Sequence, residues 1–165
     1  MSRIEGPDFH HLRAAQGWLE LGDARSADLE LEKLSKSART SPEVLETKWL
    51  IRAKTESWPE CVQIGSTLTR LAPEFAQSWI HHAYALHELK KTREAFAVLS
   101  SVADCFPEEP TIPYNLACYS CQLGDFVGAR DWLAQVYKLD NAQEWKQKAL
   151  EDPDLKPLWD EPEET

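Results

Sequence analysis

PTIPYNLACYSCQLGDFVGARDWLAQVYKLDN, residues Pro110–Asn141, sets the fold of the whole chain. Two apolar-periodic stretches flank Leu123-Gly124-Asp125, where a glycine ends one helix and an aspartate caps the next. Helix, tight turn, helix is an αα-hairpin, a unit that cannot bury its own apolar face. It therefore needs copies, and steps of 34 residues find them. Ala129, Ala95, Cys61 and Ala27 are all small. Leu133, Leu99 and Leu31 match, with Gly65 as the exception, and Val136, Val102, Leu68 and Leu34 are all aliphatic. Gly124-Asp125 recurs as Gly22-Asp23, while Lys90-Lys91 and Glu56-Ser57 hold the middle turns. Pro107 and Pro73 stand 34 apart at repeat ends.

This period and pattern resemble the tetratricopeptide repeat (TPR) family over about residues 8–141. The fourth copy is the closest, through Asn115-Leu116-Ala117, Gly124-Asp125-Phe126, Ala129 and Leu139-Asp140. The third keeps Trp79, Ala83, Ala95 and Pro107, and the first two are degenerate. The resemblance implies an all-α fold, an α/α superhelix (TPR solenoid) of four helix-turn-helix repeats with a C-terminal capping helix. A single TPR domain would span 8–159, with repeats at about 8–41, 42–75, 76–109 and 110–141 and a cap at 142–159. An acidic disordered tail is expected at 160–165.

Length and composition agree with one domain. The 165 residues are 42% hydrophobic and 28% charged, enough to bury a continuous core. No apolar run approaches the roughly 20 residues of a membrane helix, and MSRIEGPDFHHLR lacks a signal-peptide core. A cytoplasmic protein is expected, with its four cysteines reduced. The net charge is −10, of which residues 151–165 carry −6 through seven acids and Lys156. An acidic chain without a basic stripe argues against nucleic acid and anionic membrane as partners.

In chain order, Asp8 is expected to cap a first helix over about 9–21, and Asp23 a second over about 24–38. Ser41-Pro42 opens the third, and Ser57-Trp58-Pro59-Glu60 reads as a capping box for the fourth. The third pair covers about 75–89 and 92–105, the fourth about 111–123 and 126–138, and a ninth helix about 142–151. In the second copy Trp49 replaces the Ala15, Ala83 and Ala117 of the others, while Gly65 replaces leucine. Large-for-small beside small-for-large predicts a volume exchange, with Trp49 buried close to Gly65. Leu155, Leu158 and Trp159 form an apolar cluster inside an acidic ending, bracketed by Pro153 and Pro157. They are expected to fold back, as a short turn or extended segment, onto the outer face of the last repeat and the cap helix, around Trp145 and Trp132. Self-association through this segment is the alternative.

No pattern supports catalysis, so the chain is expected not to be an enzyme. Cys118-Tyr119-Ser120-Cys121 is a CxxC past the middle of a helix, whereas a redox pair sits at a helix start. His81, His82 and His87 lack the i, i+4 spacing of helical metal ligands. No GxSxG, HExxH or phosphate-binding glycine loop occurs, and neither a cofactor nor a metal is expected.

Binding is the remaining role. In the TPR family the first helix of each pair lines a concave groove, and the resemblance carries that onto four helices here. The first would contribute Leu12, Arg13 and Gln16, and the second Glu46, Thr47 and Leu50. The third would add Gln77, Ile80, His81, Tyr84 and His87, and the fourth Tyr114, Asn115 and Cys118. These recur at three-to-four spacing, with Ile80, Tyr84, Tyr114 and Leu50 as an apolar centre. The carboxylate clamp of some TPR proteins needs paired cations, and only Asn115 matches it. The implied function is a non-catalytic adaptor that binds a peptide or helix of a partner protein in the groove. The alternative resembles the TPR chaperones of type III secretion, which hold apolar clients.

Overall fold

The structure, a computed structural model, describes residues 4–139 and 141–160. Its helices are α1 (Gly6–Glu20), α2 (Ala24–Glu32), α3 (Pro42–Lys54), α4 (Trp58–Leu71) and α5 (Ala76–Glu88). They continue as α6 (Thr92–Ser100), α7 (Thr111–Gln122), α8 (Phe126–Leu139), α9 (Ala142–Glu151) and α10 (Lys156–Asp160). Single 3-10 turns occur at Ala38–Thr40, Ala103–Cys105 and Pro153–Leu155, and no strand occurs among the described residues. Eight helices form in the expected order, though α2 and α6 stop short of their expected ends at about 38 and 105, and α9 follows at the expected place. None of the described helices is long and apolar enough to cross a membrane. Asp160, expected to begin the disordered tail, instead ends α10; residues 161–165 of that tail, and Asp140 of the repeat motif, lie outside the described residues.

The repeat is written most clearly in its turns. Gly22, Glu56, Lys90 and Gly124, each 34 residues from the next, all have positive φ, at 82°, 54°, 63° and 83°. Each donates its N–H three residues back, at 2.8–3.0 Å, to Leu19, Ala53, His87 and Cys121. The following N–H reaches five residues back, at 2.8–2.9 Å, to Trp18, Arg52, Leu86 and Ser120. These are Schellman endings, which satisfy the last carbonyls of the helix. Glycine enters the left-handed region freely, whereas a side chain there is strained. Glu56→Gly and Lys90→Gly should therefore each raise stability, by about 0.5–1 kcal/mol, as read from urea unfolding.

Local starts differ from expectation at two places. Asp8 lies inside α1, whose N-cap is Glu5 and whose first turn holds Pro7. Proline needs no partner there, so the Asp8 carboxylate serves another element. It accepts from the Ser35 backbone N–H at 2.8 Å and from the Ser35 hydroxyl at 2.6 Å. The capping box at Ser57 does not form either: Ser57 makes no side-chain cap, and Glu60 accepts instead from Arg52 Nε at 2.6 Å. A charge-assisted bond outcompetes a backbone N–H. By contrast Asp23 caps α2 through Ser26 N–H, and Asp125 accepts from Gly128 N–H, both at 2.9 Å.

Packing follows the same period. The chain forms two compact units, one up to Ala85 and the other from Leu86 onward. In the first, Leu12, Ala15, Ala27, Leu31, Leu34, Val44 and Ile51 make one core cluster, and Trp49, Cys61 and Ala85 make another. In the second, Ala95, Leu99, Ala129, Leu133 and Val136 hold the equivalent buried positions. Trp49 is buried as expected, against Cys61 of α4, with its ring stacked on His81 at 3.9 Å. The volume exchange takes another form. A Cβ on Gly65 would stand 2.7 Å from His82 Cα, and its three nearest atoms all belong to His82. The space left by the missing leucine is taken by the backbone of α5, not by the indole.

Candidate functional site

The first helices of the amino-terminal unit carry most of the expected groove residues, and burial sorts them. Leu12, Thr47, Ile80 and His81 are buried and hold the helices together. Arg13, Glu46, Leu50, Gln77 and Tyr84 are exposed, and Gln16 is half-buried. Arg13 Nη1 donates to Gln16 Oε1 at 2.8 Å, which fixes that polar pair on α1.

A cleft of about 240 Å³ brings together Glu46 of α3 with Gln77 and His81 of α5. Glu43, Leu68 and Phe75 also line it, and Phe75 is exposed. The Gln77 amide lies 3.1 Å from His81 Nδ1, and His81 Nε2 lies 3.8 Å from Glu46 Oε1. Leu50 sits one turn after Glu46, and Tyr84 follows His81 by three, so both continue the faces that form the cleft. Tyr84 meets Trp49 and Trp58 edge-on, at 6.3 and 5.8 Å. The result is an acidic cleft beside an aromatic and aliphatic ledge. Phe75 and Glu43 were not among the expected residues. The end of α4 and the start of α5 bring Phe75 to the cleft, a placement that spacing along one helix does not encode.

The carboxy-terminal unit treats its share of the expected residues differently. His87, Tyr114 and Cys118 are buried, at 6%, 2% and 4% exposure, under the chain's own ending. The segment after α9 turns at Asp152, forms the 3-10 turn Pro153–Leu155 and the short α10, and packs on α7 and α9. Leu155 and Leu158 are buried, and Trp159 Nε1 donates to the Ala149 carbonyl at 3.0 Å. The segment thus folds back onto the cap helix α9, as expected, and onto α7 rather than the outer face carrying Trp132. The α7 surface offers polar partners for the Asp-Pro-Asp start as well as an apolar floor.

Those partners are specific. Tyr114 OH donates to Asp152 Oδ2 at 2.8 Å, and the Cys118 thiol points to the same oxygen at 3.8 Å. His87 Nε2 pairs with Asp154 Oδ2 at 3.0 Å while His87 Nδ1 lies 2.9 Å from Thr92 Oγ1. The Gln122 amide donates to the Asp154 carbonyl at 2.8 Å. Lys148 lies over the Tyr114 ring at 4.5 Å, and Trp145 packs beside it at 5.0 Å. Asn115 is half-buried on the same helix.

The thiols here are poor nucleophiles. Burial, and then the nearby Asp152 and Asp154 charges, push the Cys118 thiol well above its ordinary value. Burial likewise pushes Cys61 up to about 11. Cys118 Sγ and carboxylate oxygens of Asp152 and Asp154 do lie within 4.8 Å of one another. Each carboxylate is already engaged, by Tyr114 or by His87, and a thiol held protonated is a weak ligand. The set reads as a satisfied hydrogen-bond network.

Acid should loosen it. The His87 hydrogen bond, and then the His87 and Lys90 charges, hold Asp154 below the ordinary carboxylate value against the cost of burial. A depressed carboxylate contributes stability that is complete above the unfolded value and fades as pH falls through the folded one. The contribution is therefore complete at neutral pH, begins to fade below the ordinary carboxylate value of about 4, and is lost as pH falls through the lower folded value. Fluorescence of Trp159 and Trp145 should report release in that window, and Asp154→Asn should remove this acid limb.

No family model matches the sequence, and no curated protein does. Solved structures do match in fold. MamA, residues 41 to the end, from Desulfovibrio magneticus RS-1, superposes with a TM-score of 0.73 at 15% identity. That match covers 95% of this chain and 92% of that one. MamA AMB-1 gives 0.65 at 14%, over 93% and 95% of the two chains. PcrH from Pseudomonas aeruginosa gives 0.58 at 22%, over 76% and 86%. These are TPR-type proteins, and the chain shares their all-α helical-repeat fold.

Proposed function

We propose that the chain is a non-catalytic protein-interaction adaptor built as one TPR domain of four repeats and a cap. In this reading a peptide or helix of a partner protein lies along the first helices of the amino-terminal unit, at α3 and α5. The observation that carries it is the cleft of Glu46, Gln77 and His81 beside the exposed Leu50 and Tyr84. An apolar anchor on Leu50 and Tyr84, with a basic side chain set against Glu43 and Glu46, is the chemistry this face fits. Both MamA and PcrH, with the same fold, are TPR-type scaffold or chaperone proteins, which supports a binding role.

Leu50→Glu tests it. The side chain is exposed, so the fold should survive, and an interface anchor turned into a third carboxylate should abolish capture of the partner. Affinity capture from the native lysate with both forms should show a protein retained by the wild type and lost with the variant. The similarity to PcrH, a TPR chaperone, favours a second reading, a holder of an apolar client. Under that reading the client precipitates when expressed without this chain and stays soluble with it.

A further inference from the structure

The way α7 holds the chain's own ending has the features of sequence recognition. An apolar cap needs only area, yet residues 152–159 also receive four polar side chains from the hairpins. Tyr114 and Cys118 take the Asp152 carboxylate, His87 takes the Asp154 carboxylate, and Gln122 takes a backbone carbonyl. A side-chain amide on the Asp154 carbonyl reads the 3-10 turn, and the two carboxylate contacts read acids two residues apart. Leu155 and Leu158 then fill the apolar floor, both essentially inaccessible.

The contact is also built to part. It holds eight residues with two short helical turns and two prolines, behind the extended Asp152. Gln122 on the receiving side is exposed, and Asp154 of the segment keeps 39% of its side chain in solvent. Short, partly exposed elements are the low-stability end of a fold.

We propose that the face of α7 carrying Tyr114, Cys118 and Gln122, together with His87, is a recognition site for a short acidic-apolar segment of a partner protein. Residues 152–159 are its tethered occupant. The partner chemistry is that of the occupant: Asp-Pro-Asp-Leu followed by a second leucine three residues on. The tether holds the cis segment at high effective concentration. A partner must therefore outcompete it, which keeps the site closed to weak or unrelated acidic peptides. This inference rests on the adaptor reading for the existence of a partner, but the site can be tested with the chain's own segment.

The test uses the full-length chain with Asp152→Ala and Leu155→Asp, which frees the ending and leaves α7 unchanged. The probe is a fluorescent synthetic peptide of residues 150–160. The variant should bind it saturably and at least about tenfold more tightly than the wild type, whose own segment competes. A further Gln122→Ala change, at an exposed side chain, should weaken binding without altering helix content. Equal binding by variant and wild type, or none by either, would overturn the proposal and leave the ending a structural cap. So would loss of helical circular dichroism in the variant, because a segment whose release unfolds the chain is not displaceable. A wild type that dimerises by exchanging the segment as concentration rises would assign the occupant to a second copy and overturn the partner reading. The Leu50→Glu capture result is untouched by any of these outcomes.

Discussion

Gly65→Ala is expected to destabilise the protein by about 1–3 kcal/mol, against the usual gain from replacing a helical glycine. The reason is a single distance. A Cβ at this position stands 2.7 Å from His82 Cα, and backbone cannot step aside as a side-chain tip can. Gly65→Leu, which restores the residue type of the other repeats, should prevent α4 and α5 from packing and unfold the amino-terminal unit. Gly17→Ala supplies the opposite sign. Gly17 is also inside a helix, but a Cβ there meets nothing within 4 Å. That change should stabilise by about 0.5–1 kcal/mol. Urea unfolding of the three variants reads all of these, and a stabilised Gly65→Ala would show that the close approach is not real.

Trp49→Ala should cost about 3–5 kcal/mol, the range for removing a buried aromatic from a packed core. The indole lies against Cys61 and Ala85, stacks on His81 at 3.9 Å, and meets Tyr84 edge-on. Its Nε1 has no hydrogen-bond partner among the described residues. Trp49→Phe therefore sacrifices no hydrogen bond and should cost far less than alanine. The Cys61 thiol donates to the Trp49 backbone carbonyl at 3.6 Å, a contact both variants keep. A loss below about 1 kcal/mol for Trp49→Ala would contradict a core role for this ring.

The hairpins were legible because each repeat restates the same local rules. Ala27, Cys61, Ala95 and Ala129 are all fully buried, and the turn positions at 22, 56, 90 and 124 share one backbone conformation. The pattern names these positions even where Glu56 and Lys90 replace the glycine. What it could not give was which neighbour takes each side chain. Asp8 reads as a cap for the helix it stands in, yet the structure spends it on Ser35, 27 residues away. Glu60 reads as half of a capping box, yet Arg52 claims it. Gly65 reads as missing volume, and only the path of α5 shows that His82 fills it.

The same limit applies to the site. The repeat resemblance put Tyr114, Cys118 and His87 on a groove-lining face, but spacing within one helix does not say what covers that face, and all three are buried. The covering segment lies 30 or more residues on in sequence, and its acids pair with side chains no local rule connects to them. Leu155 and Leu158 did announce that the ending packs somewhere, since apolar residues seldom persist in a solvated acidic tail.

A photo-crosslinking side chain placed at Leu50 and, separately, at Leu29 tests the adaptor account most directly. Both leucines are exposed, at 39% and 50%, but Leu50 lies on α3, the first helix of its hairpin, and Leu29 on α2, a second helix. Irradiation in the native lysate should join a partner polypeptide to position 50 and leave position 29 unlinked. Crosslinking at Leu29 with none at Leu50 would contradict a partner seated along the first helices.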